Sequence, residues 1–187
     1  MKQIVAFLVV AGLLAVTAAT VYTVYAETAT VTVTSDSLTV TPDDVALSTV
    51  VLDGSDKTST SAYTSNAWTA EDARGTGAGW NVTIEATDFS DGGTNTIDIS
   101  EPDQEFKIQI EDANITVIYG NTKPTSSVTS MTAIPTTGGT PLKIITAATN
   151  TGMGSYNTPP AFELEVRAET VAAVYTSTIT VAINSGP

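Results

Sequence analysis

The chain has 187 residues, 7 basic and 20 acidic side chains for a formal net charge of −13, and neither cysteine nor histidine. Disulfides, thiol chemistry, Ser–His–Asp triads and imidazole zinc sites are thereby excluded. A negative field of this size repels phosphate backbones, so nucleic acid is not an expected partner, and the acidity itself reads as a solubility device.

The chain opens with Lys2 and then an uncharged run from Gln3 to Ala26, most apolar between Ile4 and Val16. Val24-Tyr25-Ala26 offers a small-residue exit before Glu27. A charged start, an apolar middle and a small exit predict a secretory signal peptide over residues 1–26, cleaved between Ala26 and Glu27. An uncleaved anchor is the competing reading, but Thr17, Thr20 and Thr23 dilute the far end of the run. No second apolar run of spanning length follows, so no membrane span is expected after cleavage. The exported part, residues 27–187, is expected to form one domain that is secreted and remains extracellular.

Beyond the leader, threonine, valine and isoleucine dominate, and branching at Cβ favours pleated, half-buried strands. Period-two alternation appears first at Thr28–Thr34, and Val45–Leu52 is a short apolar run. Trp80, Val82, Ile84 and Ala86 then share one face, opposite Asn81, Thr83, Glu85 and Thr87. Phe106, Ile108 and Ile110 alternate with Lys107 and Gln109, and Ile115, Val117 and Tyr119 follow. Phe162, Leu164 and Val166 alternate with Glu163, Glu165 and Arg167. The last and longest strand puts Tyr175, Ser177, Ile179, Val181 and Ile183 on its inner face. Turn formers separate these runs, and residues 88–104 and 121–160 read as long loops. One wet and one buried face per strand implies antiparallel sheets. The predicted fold is all-β, an antiparallel two-sheet β-sandwich, Ig-like or related, with a barrel as the alternative closure.

The most informative stretch is Asp72-Ala73-Arg74-Gly75-Thr76-Gly77-Ala78-Gly79-Trp80-Asn81-Val82. Gly75, Gly77 and Gly79 predict a tight turn, read here as a hairpin joining two antiparallel strands beside Trp68. Asp72 and Arg74 can pair across it. The glycine spacing is no dinucleotide cradle, because the segment after it has strand rather than helical periodicity.

This run resembles the first motif of WxL domains, an Asp-x-Arg-Gly-x-Gly-x-Gly-Trp sequence followed by a strand. Leu52-Asp53-Gly54, Trp68-Thr69, Gly152-Met153-Gly154-Ser155-Tyr156 and the closing Tyr175–Ile183 strand are similar to other parts of the family pattern. The resemblance implies a secreted surface protein of Gram-positive bacteria that attaches non-covalently to peptidoglycan or another cell-wall polymer, with other surface proteins as further partners. Of the two Trp-x-Leu motifs that name the family, the first reads Trp80-Asn81-Val82. The second calls for a tryptophan near Thr180 or Val181, and none is there.

The residues proposed to carry ligand binding are therefore Trp68, Asp72, Arg74, Gly75, Gly77, Gly79 and Trp80. Each has a second reading. Trp80 heads an alternating strand and suits the core as well as a contact; Trp68 has polar neighbours and suits stacking on a sugar ring. Arg74 either pairs with Asp72 or meets a ligand carboxylate. The turn acids in 53–56 and Asp88–Asn95 lack a calcium-loop pattern, and no cofactor or metal is expected. Glu163 and Glu165 fall on a wet strand face, with nothing to raise a carboxyl pKa, so no enzyme activity is expected. A filament or layer subunit, with Thr28–Thr34 as a donated strand, and a carbohydrate- or protein-binding adhesin remain the alternative functions.

Overall fold

Cβ branching, repeated along the chain, sets the architecture. The computed structural model describes residues 28–63 and 68–187; the expected leader and its cleavage point lie outside these. In chain order the strands are β1 (Leu38–Thr41), β2 (Lys57–Ser61), β3 (Thr69–Asp72), β4 (Trp80–Ala86), β5 (Phe89–Ser90), β6 (Thr96–Ile97) and β7 (Phe106–Gln109). After one 3-10 turn (Asp112–Asn114) come β8 (Thr116–Gly120), β9 (Thr125–Ser126), β10 (Thr132–Ala133), β11 (Leu142–Ala147), β12 (Gly154–Asn157), β13 (Ala161–Val166) and β14 (Ile179–Ser185). Among the described residues no helix is long and apolar enough to cross a membrane.

The fold is an all-β, antiparallel sandwich. Its strands are shared among three four-stranded sheets, ordered β1-β3-β12-β8, β10-β7-β13-β2 and β14-β4-β11-β9, with β5-β6 as a small ribbon. Two sheets were expected, and the strands are divided further; the regions read as long loops also contain strands of their own. β5 and β6 lie within 88–104, and β9 to β12 within 121–160.

Where alternation is cleanest, the register follows it. In β4, Trp80, Val82, Ile84 and Ala86 are buried while Asn81, Thr83 and Glu85 are half-buried. β14 pairs with β4 along its length, from Ile179 opposite Ala86 to Ser185 opposite Trp80. Phe162, Leu164 and Val166 of β13 face inward. The sheets share one core. Within it the aromatic rings run from Trp68 to Phe162 (5.9 Å), from Phe162 to Phe106 (5.4 Å, stacked) and from Phe106 to Phe89 (5.0 Å, edge to face).

Four expected strands differ. The closing strand, expected from Tyr175, begins at Ile179. Thr28–Val33 has no regular secondary structure. Val45–Leu52 is irregular too; Val45, Leu47, Val50 and Leu52 lie half-buried against the core, and the Ser48 N–H donates to the Thr60 carbonyl at 2.9 Å. Among Ile115, Val117 and Tyr119 only Ile115 is buried, because β8 ends its sheet and is exposed along its whole length.

Candidate functional site

The glycine turn is under tight local constraint. Gly75, Gly77 and Gly79 have φ of +67°, +64° and +75°, the left-handed region that costs a residue bearing Cβ about 1–2 kcal/mol. At Gly79 a Cβ would also lie 2.5 Å from the Ala147 carbonyl oxygen, whereas at Gly75 it would meet open space. Gly75 and Gly79 are thus held by different constraints, one conformational and one both conformational and steric.

The turn is not a hairpin. β3 is paired on both edges, by β1 and β12, and β4 is paired on both edges, by β11 and β14. Neither strand has an edge to offer the other, so the glycines carry the chain from one sheet to another.

Arg74 fixes that crossing. Its Nε donates to Asp72 Oδ1 at 2.8 Å and its Nη2 to Asp72 Oδ2 at 2.9 Å, a two-pronged pair. Nη2 also donates to the Gly79 carbonyl at 2.9 Å, and Nη1 to Ser185 Oγ at 2.6 Å. One guanidinium therefore ties the end of β3, the end of the turn and the end of β14. The Asp72 side chain is fully buried, and the hydrogen bonds from Arg74 hold its carboxyl below the usual carboxylate range. The expected Asp72–Arg74 pair is present, and it serves the framework.

Both tryptophans are in the core. Trp80 is wholly buried, and its indole N–H donates to the Gly152 carbonyl at 2.8 Å. Its ring lies 6.5 Å from Tyr156. Gly152, with φ of +66°, lets the chain approach the indole; a Cβ there would stand 2.9 Å from Trp80 Nε1. Trp68, open between the core and stacking on a ligand in sequence, is 1% exposed, and its N–H donates to the Asp43 carbonyl at 3.3 Å. Phe162 and the returning Thr158 backbone, whose N–H donates to the Trp68 carbonyl at 2.8 Å, enclose it.

Distant segments meet at this end of the molecule. The Gly186 N–H donates to the Gly79 carbonyl at 3.0 Å, and the Asn150 N–H to the Gly77 carbonyl at 2.8 Å. Gly154 lies opposite Asp72 on one side and Gly120 on the other. Sequence reasoning gave no role to Asn121, Asn150 or Ser185. Asn150 is the one non-glycine with positive φ (+63°) among the described residues, a position that asparagine tolerates better than most. Asn121 binds the Met153 N–H through Oδ1 and the Asn150 carbonyl through Nδ2. Their signal in sequence was only that turn formers crowd around 120–122 and 150–154.

Around this framework exposed residues come from several segments, among them Glu71, 116–122, 148–150 and 184–185. Gly75, Thr76 and Ala78 form the crest of the turn. On β8, Tyr119 is 76% exposed and lies opposite Ser155, one residue from the Gly154 that faces Asp72.

A family model described as WxL domain surface cell wall-binding matches residues 28–187. The chain belongs to the WxL domain family. Neither the curated proteins nor the solved structures gave a match. In this WxL domain the first motif, with Gly152–Tyr156 and Ser185–Gly186, builds a closed junction between sheets. At the place of the second tryptophan, Val181 is half-buried opposite Ile84, and Thr180 is exposed opposite Glu85.

Among the described residues, every carboxylate with a clear shift is shifted downward. Asp53 is lowered to about 2 by hydrogen bonds from Lys57 and Ser55. Asp72, Asp91, Asp98 and Asp103 are also lowered, chiefly by Arg74, Asn95, Ser100 and Arg167 in turn. A general acid working near neutrality requires the opposite shift. Glu163 and Glu165, with Glu105, surround the Lys107 ammonium, which lies 3.1 Å from Glu105 and 3.8 Å from Glu163 and also bonds Glu165. Among the described residues no three acidic side chains gather as a metal-binding group.

Proposed function

We propose that this WxL domain is exported, loses residues 1–26, and works as a non-catalytic module that holds non-covalently to peptidoglycan on the surface of a Gram-positive cell. The observation that carries this reading is the match of residues 28–187 to a surface cell-wall-binding family. The fold adds a division of labour. Trp68, Asp72, Gly77, Gly79 and Trp80 are buried and the half-buried Arg74 makes four side-chain hydrogen bonds within the fold, so these residues serve to shape the binding end rather than to touch the polymer. Contact falls to the crest at Gly75 and Thr76 and to Tyr119. An exposed phenol offers an apolar ring for a sugar face and a hydroxyl for its rim. Attachment would then rest on shallow contacts repeated along a polymer rather than on a deep pocket.

The test is sedimentation of the secreted protein with insoluble peptidoglycan. Pelleting of the wild type is expected, with Tyr119→Ala weakening it about tenfold while the melting temperature holds. Wild-type protein that stays monodisperse in the supernatant would end this proposal. Equal pelleting of Tyr119→Ala would keep wall binding but remove Tyr119 from it.

A further inference from the structure

At another part of the body a groove of about 770 Å³ opens between the irregular segments 45–52 and 170–177. Its lining includes Phe89, Phe106, Leu164 and Val166 of the core, with Val50 and Val174 from the two segments. None of the lining residues is charged, in a chain that carries 27 charged side chains. Ser59 of β2 and Ile179 of β14 also border it. These two strands are the outer edges of their respective sheets. On β2 the Ser48 N–H already bonds the Thr60 carbonyl, so the groove is an apolar opening whose unpaired edge strand is β14, the kind of place where an added strand binds.

The chain also contains a segment of matching character. Thr28-Ala29-Thr30-Val31-Thr32-Val33-Thr34 is uncharged and alternates at period two. It carries no strand, and Val31 and Val33 are 83% and 87% exposed. Extended, it would reach about 23 Å and place Ala29, Val31 and Val33 on one face with the threonines on the other. Two strongly acidic bodies repel each other, so an uncharged segment entering an uncharged groove is the contact that removes apolar surface without burying a carboxylate.

We propose that residues Thr28–Thr34 of one copy lie in the groove of a second copy. Donor and acceptor are different surfaces of one chain, so the contact is head-to-tail and propagates into a chain of molecules instead of closing as a dimer. This assembly is separate from wall binding and is read without any wall present.

The absence of cysteine makes a cross-linking test clean. Full-length chains carrying Val33→Cys or Val174→Cys are expressed through their own leader, mixed and oxidised. A disulfide-linked dimer is expected in the mixture and not with either variant alone. The double variant should give a ladder on a non-reducing gel that collapses on reduction, and adding Val31→Asp to it should abolish the ladder. Three results would overturn the proposal: no cross-link in the mixture, a cross-linked monomer alone from the double variant, or a ladder indifferent to Val31→Asp. Val174 is 83% exposed, so its replacement leaves the fold intact and each result interpretable.

Discussion

The glycine turn and the groove lie in one β-sandwich and are built on opposite terms. At the turn, Arg74 alone makes hydrogen bonds to Asp72, Gly79 and Ser185, and Trp80 is closed over by Gly152. Around the groove, segments 45–52 and 170–177 carry no strand, and Val51 and Val174 stand 76% and 83% exposed. The turn contains the residues that sequence makes conspicuous; the groove contains ordinary valines and alanines. A residue type that only one geometry can accept announces itself, whereas an open apolar surface is made of residues found everywhere. Conspicuous residues here therefore mark where the fold is locked, and the surfaces free to meet something else lie beside them.

The sharpest way to break this contrast is Trp80→Ala. The ring is fully buried, packs on Tyr156 and satisfies the Gly152 carbonyl. Its removal leaves a large cavity and is expected to cost about 3–5 kcal/mol, read as a shift in the urea midpoint. A loss below about 1 kcal/mol would show the turn to be far looser than its geometry implies.

Legibility from sequence followed the same division. The all-β class, the buried faces of β4, β7 and β13 and the Asp72–Arg74 pair were all readable, because period-two alternation and a neighbouring acid–base pair are local signals. What failed was long-range. The turn looked like a hairpin because adjacency in sequence suggests pairing; β1, β12, β11 and β14 had already taken every edge that a hairpin needs. Trp68 was open between core and contact because its sequence neighbours are polar; Phe162 and Thr158, which cover it, lie 90 or more residues away. Thr28–Thr34 and Val45–Leu52 alternate or run apolar like strands but form none. Periodicity reports what a segment can do, not whether a partner is there.

A smaller effect is expected from Arg74→Ala. The substitution leaves the Asp72 carboxylate buried without its partner, and breaking such a pair costs on the order of 3 kcal/mol. Acid provides a second measure of the same contact. Asp72 titrates below its ordinary value of 3.8 in the folded chain. Its contribution is therefore complete above that value and is lost as the pH falls through the lower, folded one. Denaturation midpoints should drop as pH is taken below 3.8, and Asp72→Asn, less stable at neutral pH, should drop less steeply. Parallel slopes would assign the acid sensitivity to other carboxylates.

The smallest effect belongs to the groove. Val51→Ser and Val174→Ser remove apolar surface that water already reaches, so each should change stability by no more than about 0.5 kcal/mol. Near-silence on folding is what distinguishes surface held open for a partner from surface needed by the core. The same variants should weaken the head-to-tail association, since the methyl groups lost are those the incoming valines would cover. Sedimentation velocity at rising protein concentration reads that change, with denaturant melts on the same samples as the control. Were either serine variant to lose several kcal/mol of stability, the segment carrying it would belong to the core after all, and the contrast between a locked turn and an open groove would disappear.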